Sequence, residues 1–142
     1  MHTSTTKKTT TDISISIIEN EYVSVIYKTR INTIEVIWKK FSPSNMYRET
    51  LIRCYDAIIS YKIRYWISDM TYAGVVSIKD QKWVIEEFIP KGIKAGIEKI
   101  GIVLSKDIFN QIYTEDVKNS LNPKVFSYFN ILSEAEKWMS EK

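Results

Sequence analysis

Between positions 13 and 38 the hydrophobic residues fall in three short runs separated by polar stretches. Ile13, Ile15 and Ile17 alternate with Ser14 and Ser16, the signature of a half-buried strand, and Glu19-Asn20-Glu21 supplies the turn that ends it. Two β-branched and aromatic runs follow, Tyr22 to Lys28 and Thr33 to Trp38, with a short polar stretch around Arg30 and Asn32 between them. Runs of this kind, so spaced, predict an antiparallel hairpin.

Beyond Trp38 the period changes. Tyr47, Leu51, Cys54 and Ile58 are separated by steps of four, three and four, which puts them on one helical face. Ser42 and Pro43 precede them as N-cap and first-turn proline, so a helix is predicted over residues 43–60. Ile63 to Ser68 reads as another strand, ending at Asp69. Ser77 and Asp80 stand as Ser-x-x-Asp ahead of Val84, Ile85, Phe88 and Ile89, a capping-box arrangement that opens a second helix near Ile78. Pro90 lacks a backbone donor and so ends or kinks that helix, with a further turn to Ala95 closed by Gly96.

Lys99 to Leu104 is almost continuously apolar, the character of a parallel strand buried on both faces. Ser105 caps a short helix ending near Tyr113, Asn122-Pro123 marks a loop, and Val125 to Phe129 alternates as a last strand. Ser133-Glu134-Ala135-Glu136 reads as another capping box, opening a C-terminal helix with Leu132, Ala135, Trp138 and Met139 turned inward. A hairpin followed by alternating helices and strands predicts an α/β fold: a mixed, mainly parallel sheet of about five strands crossed by helices.

Residues 1–12 hold no apolar side chain after Met1 and cannot offset the entropy lost on ordering, so they are expected to form a disordered leader. Residues 13–142 are expected to form one domain, a length sufficient for a single core. The polar leader occupies the place of a signal peptide's apolar stretch, and the lone Cys54 cannot form an internal disulfide. Both point to a reducing cytoplasm. No apolar run approaches the roughly 20 residues that span a bilayer. The 20 Lys and Arg against 17 Asp and Glu leave a net charge of +3, and lysines interleave with acids at Lys79, Asp80, Lys82, Glu86, Glu87 and Lys91. This is the pattern of a solvated helix face rather than a one-sign stripe that tracks phosphates, so no nucleic-acid partner is expected.

The composition also limits the chemistry. His2 is the single histidine, whereas a histidine general base, a Ser-His-Asp or Cys-His nucleophile and a histidine-containing zinc site all need an imidazole inside the fold. Gly74, Gly92, Gly96 and Gly101 form none of the glycine series that cradle dinucleotides or nucleoside triphosphates. No cofactor and no metal are expected. Cys54 lies on the apolar helix stripe with no cation to depress its pKa, and reads as core. Asp69 is the best-placed carboxylate, because open α/β sheets bind ligands outside the carboxyl ends of their strands; its alternative role is to hold the backbone of the turn that follows. Trp83, near the same mouth, either packs in the core or stacks on a ligand.

Trp38, Pro43, Ser68-Asp69, Gly74-Val75, Ser77, Asp80-Gln81-x-Trp83, Pro90, Gly96-x-x-Lys99 and the terminal Ala135-Glu136-Lys137-Trp138 together resemble a family of small bacterial proteins, frequent in Bacteroidetes, related to the STAS domain of anti-sigma-factor antagonists. The resemblance implies a STAS-like, SpoIIAA-like mixed sheet with helices. In the better-known antagonists a serine opening the second helix, within Asp-Ser-Ser/Ala-Gly-Leu, is phosphorylated and switches binding to a partner kinase. The corresponding place here is Ser77-Ile78-Lys79-Asp80, which lacks that motif and sets Ser77 one residue out of register. Ser77 is therefore the candidate phosphorylation site that the resemblance implies.

Three functions are compatible with these residues. The first is a non-catalytic regulatory domain whose region around Asp69, Met70, Thr71, Tyr72 and Ser77 meets a protein partner or a second copy of the chain. The second is a carrier or sensor of a small apolar molecule held between sheet and second helix by Trp83, Phe88 and Tyr72. The third is an enzyme using carboxylates alone or an added metal, with Asp69 as the residue whose replacement by Asn should abolish its activity.

Overall fold

The structure, a computed structural model, describes residues 13–106 and 122–141. Three strands, β1 (Ser14–Glu19), β2 (Val23–Lys28) and β3 (Thr33–Trp38), form an antiparallel meander. Asn20 builds the first turn by accepting the backbone N–H groups of Tyr22 and Val23 at 2.8 and 3.0 Å. A 3-10 turn at Thr29–Ile31 makes the second, and Asn32 closes it at φ 47°, a left-handed conformation that asparagine adopts more readily than most residues. The even Ile/Ser alternation of β1 is broken by a bulge between Ser16 and Ile18. The bulge shifts the register by one residue, so Ile18 is the isoleucine of β1 that is fully buried.

From β3 onward the pairing is parallel: β3 to β4 (Tyr65–Asp69), β4 to β5 (Lys99–Val103), and β5 to β6 (Phe126–Phe129). Among the described residues the sheet has six strands in the order of the chain. The expected count was about five; all six stretches read as strands join the sheet, β1 as its edge strand.

The crossover from β3 to β4 is helix α1 (Ser44–Tyr61). Pro43 is its N-cap rather than its first helical residue: ψ is 154° and its carbonyl accepts the first helical bond from Tyr47 at 2.9 Å. Ser42 does not cap the helix; its hydroxyl faces the Lys40 carbonyl instead. The crossover from β4 to β5, called α2 below, runs through Ile78–Trp83, a π-helical turn at Val84–Phe88, and Ile89–Lys94. In the π turn the Ile89 N–H reaches back to Val84. An α-helix would press the Pro90 ring against the carbonyl four residues earlier, and the wider turn relieves this so that the helix continues to Lys94. Gly96 then reverses the chain at φ 121°. The leader at 1–12 and, beyond Lys106, the short helix expected to end near Tyr113 lie outside the described residues.

The C-terminal helix, α3 (Leu132–Ser140), departs from the expected capping box. Ile131 is its N-cap with no side-chain bond, Ser133 lies inside the first turn, and the Glu136 carboxylate turns outward to Lys28 at 2.6 Å.

The two faces of the sheet are covered unequally. On one, Val25, Ile34, Val36, Trp38 and Trp66 pack against Leu51, Cys54 and Ile58 of α1 and Phe88 of α2. On the other, among the described residues, Ile67 and Val103 meet Ala135 and Met139 of α3, with Ile31, Tyr65, Phe129, Leu132 and Trp138 around them. Gly101 permits this closeness: a Cβ there would stand 3.1 Å from Met139 Cε and 3.4 Å from the Phe129 ring. No helix among the described residues is long and apolar enough to cross a membrane. Replacing Gly101 by Val should lower the unfolding free energy by about 1–3 kcal/mol through overpacking beneath α3, read as a shift in urea midpoint.

Candidate functional site

The carboxyl ends of the central strands β3 and β4 open at one end of the sheet, and the segment from Asp69 to Ser77 leads from there to α2. Asp69 accepts the Thr71 backbone N–H at 3.1 Å and the Thr71 hydroxyl at 2.6 Å. Its carboxylate is thus the anchor of the turn, the second of the two roles open to it from sequence. Met70 is tied by its own N–H to the Val103 carbonyl at 2.8 Å, and its carbonyl accepts from Ala73. Tyr72, one residue further on, projects into solvent with 72% of its surface exposed.

The firmest polar tie of the site is Asp80. It is 3% exposed, and its Oδ1 accepts from Ser44 Oγ at 2.8 Å and from Arg48 Nε at 2.7 Å. Its backbone N–H donates to Ser77 Oγ at 3.1 Å, the helix cap expected from Ser-x-x-Asp. Burial alone would raise the pKa of this carboxyl; hydrogen bonds from Arg48, Ser44 and Ser77 outweigh that and hold it below its ordinary value. Arg48 also lies over the Trp83 ring, 5.0 Å from its centroid, and the Gln81 side chain donates to the Val76 carbonyl at 2.7 Å. The Asp80-Gln81-x-Trp83 run is therefore a clasp that holds the β4–α2 loop and the start of α2 against the first turns of α1. Sequence reasoning placed Asp80 in a capping box but missed Ser44 and Arg48. The available signal was their spacing of four, which stacks them on one face of a helix.

Around this clasp the surface is apolar. Phe41, Val75 and Ile78 are 61%, 78% and 82% exposed, and Phe41 lies against Gly74, whose φ of 72° turns the loop. Phe41 and Val75 border a groove of about 130 Å³ floored by Trp38, Tyr47 and Ala73. Small-molecule pockets usually enclose about 300–1,000 Å³. The residues expected to line a ligand chamber are not brought together: Phe88 is buried edge-on to Trp66 at 5.1 Å, Trp83 is tilted against Phe88 at 5.7 Å beneath Arg48, and Tyr72 faces solvent. Ser77 is exposed on the apolar rim, its oxygen engaged as the helix cap. Cys54 is wholly buried in the core, where burial pushes its thiol up to about 12.

A second group of charges went unnoticed in the sequence. Glu35, on β3, is fully buried, and neither carboxyl oxygen makes a regular hydrogen bond. Lys28 Nζ stands 3.5 Å from it and 2.6 Å from Glu136. Burial, then the adjacent Glu136, push the Glu35 carboxyl up to about 8 against the pull of Lys28. The neighbouring Glu35, holding its proton, and the Lys28 ammonium draw Glu136 the other way. Lys28 and Glu136 border a cleft of about 440 Å³, with Ile13, Arg30, Ile31 and Lys137, at the opposite end of the sheet from Asp69. Among the described residues no group of three or more His, Cys, Asp or Glu is placed to hold a metal ion.

The antiparallel meander, parallel crossovers and loop-rimmed mouth make this a mixed α/β domain. The chain is similar in structure to an uncharacterised protein of the DUF3478 family with a SpoIIAA-like fold from Shewanella loihica, with a TM-score of 0.54 and 14% identity over 86% of this chain and 97% of that one. The fold is thus SpoIIAA-like. No protein-family model matches the sequence, and no curated protein matches it.

Asp80→Ala should cost about 2 kcal/mol at neutral pH by stranding Ser44 and Arg48. Because the folded-state pKa is depressed, this stabilisation is present above the ordinary carboxylate value and lost as pH falls below about 4. The gap between wild type and Asp80→Ala in urea denaturation should therefore narrow between pH 5 and pH 3. Asp69→Ala should lower stability by about 1 kcal/mol through its lost turn bonds, measured by thermal denaturation.

Proposed function

We propose that the protein is a non-catalytic, cytoplasmic regulatory domain that binds a protein partner, or a second copy of itself, through the loops at the carboxyl ends of β3 and β4. The observation that carries this reading is the exposure of Phe41 and Val75 on one small apolar groove, with Tyr72 and Ile78 exposed within three residues of Val75 along the chain. Large apolar side chains displayed together on these loops and at the start of α2 mark an interaction surface better than they mark a monomer's solvent face. The clasp beneath them supports the reading, because a pre-organised surface loses less entropy when it docks. A non-catalytic role is further supported by Asp69, whose carboxylate is committed to Thr71, and by the burial of Cys54.

The partner's contact would be centred on Val75 and Ile78, with Ser77 between them. A phosphate on Ser77 would place two negative charges in the middle of that apolar contact, so modification there would oppose docking.

The double substitution Val75→Asp, Ile78→Asp should leave the far-UV circular dichroism unchanged and abolish whatever association the wild type shows, at least a tenfold loss of affinity being expected from two central apolar anchors. Sedimentation equilibrium at micromolar concentration tests self-association, and affinity capture with quantitative mass spectrometry tests a separate partner, with Ile52→Asp on α1 as the control surface. A strictly monomeric protein whose captured proteins are the same for wild type and double variant would refute the proposal.

A further inference from the structure

Among the described residues, α3 is held on its face of the sheet by a small apolar cluster and a few polar ties. Ala135 and Met139 are its buried residues, Lys99 Nζ donates to the carbonyls of Trp138 and Glu141 at 2.7 and 3.1 Å, and Glu136 meets Lys28. Glu35 lies among these groups at the centre of the sheet, its side chain 1% exposed. Placing a helix that carries one carboxylate over another buried carboxylate is electrostatically unfavourable unless one of the two keeps its proton. The charged groups that gather at this end of α3 are Lys28 from β2, Arg30 from the 3-10 turn, and Glu136 and Lys137 from α3 itself. Lys28 stands within ion-pair range of both carboxyls.

We propose that Glu35, Glu136 and Lys28 form a proton-operated latch for α3: the helix stays docked while the two carboxyls share a proton, and loss of that proton frees it from the sheet and bares Ile67 and Val103. This device is separate from the loops assigned to partner binding and does not depend on them.

The sign follows from linkage. Once α3 lifts, water reaches Glu35 and its carboxyl returns towards its ordinary value of 4.5, whereas with α3 docked it holds its proton up to about 8. Between those limits lifting releases one proton, so the lifted population rises about tenfold per pH unit. Glu136 is drawn below its ordinary range and Lys28 is raised above its own, so neither titrates in this window.

Amide hydrogen exchange of the intact protein from about pH 5.5 to 8.5, corrected for the intrinsic exchange rate, tests the latch. The opening constant for residues 132–140 should rise about tenfold per pH unit and level off near pH 8, while amides in the middle of α1 keep their protection. Glu35→Gln should flatten the profile. Should that variant fail to fold, Glu136→Gln provides the second reading, because removal of the neighbouring charge should make the rise level off at a lower pH. A flat wild-type profile, an unchanged slope in Glu35→Gln, an unchanged profile in Glu136→Gln, or opening of α1 in step with α3 would each overturn the proposal.

Discussion

The carboxylate of Asp80 determines how this molecule presents itself. It is withdrawn from water at the first turn of α2, and its partners Ser44 and Arg48 lie at the start of α1. A buried charge is tolerable only where such partners surround it, so the three side chains fix the two helices against each other at one end. The segment between Asp69 and Ser77 is then strung between two fixed points, the Thr71 turn and the capped helix. Its apolar residues face outward because the clasp below already fills the space into which they could fold.

Much of the architecture was legible from the order of hydrophobic positions. The meander, the long helix α1, the parallel character of β5 and the capped start of α2 all follow from periods of two or 3.6 and from turn residues. The ends of elements were less legible, because competing partners decide them. Glu136 looks like a helix-terminus residue in Ser133-Glu134-Ala135-Glu136, yet its carboxylate is drawn to Lys28. Contacts between elements distant in the chain outweighed local capping.

Glu35 shows the same limit at a single residue. In Thr-Ile-Glu-Val-Ile-Trp it occupies the polar position of an alternating strand, and a half-exposed sheet would place it in water. The strand is central and α3 returns from the far end of the chain to cover that face, which periodicity cannot foresee. A partial signal was present: β2–β3 pairing sets Lys28 opposite Thr33, two residues from Glu35 on the same face, the diagonal relation in which opposite charges reach each other across strands. The Asp-Gln-x-Trp run is the converse case. It was the most distinctive stretch of the sequence, and in the structure its side chains join the loop and α2 to α1.

The strands lie side by side in the order in which they are synthesised. Each new strand can therefore dock on the one made just before it, with no gap to be held open for a later segment. A nascent chain leaving the ribosome can add to the sheet from one edge only, so its growing face is always the last strand made. Hydrophobic surface is then exposed one strip at a time during translation, and the final helix seals the second face only after the whole sheet exists.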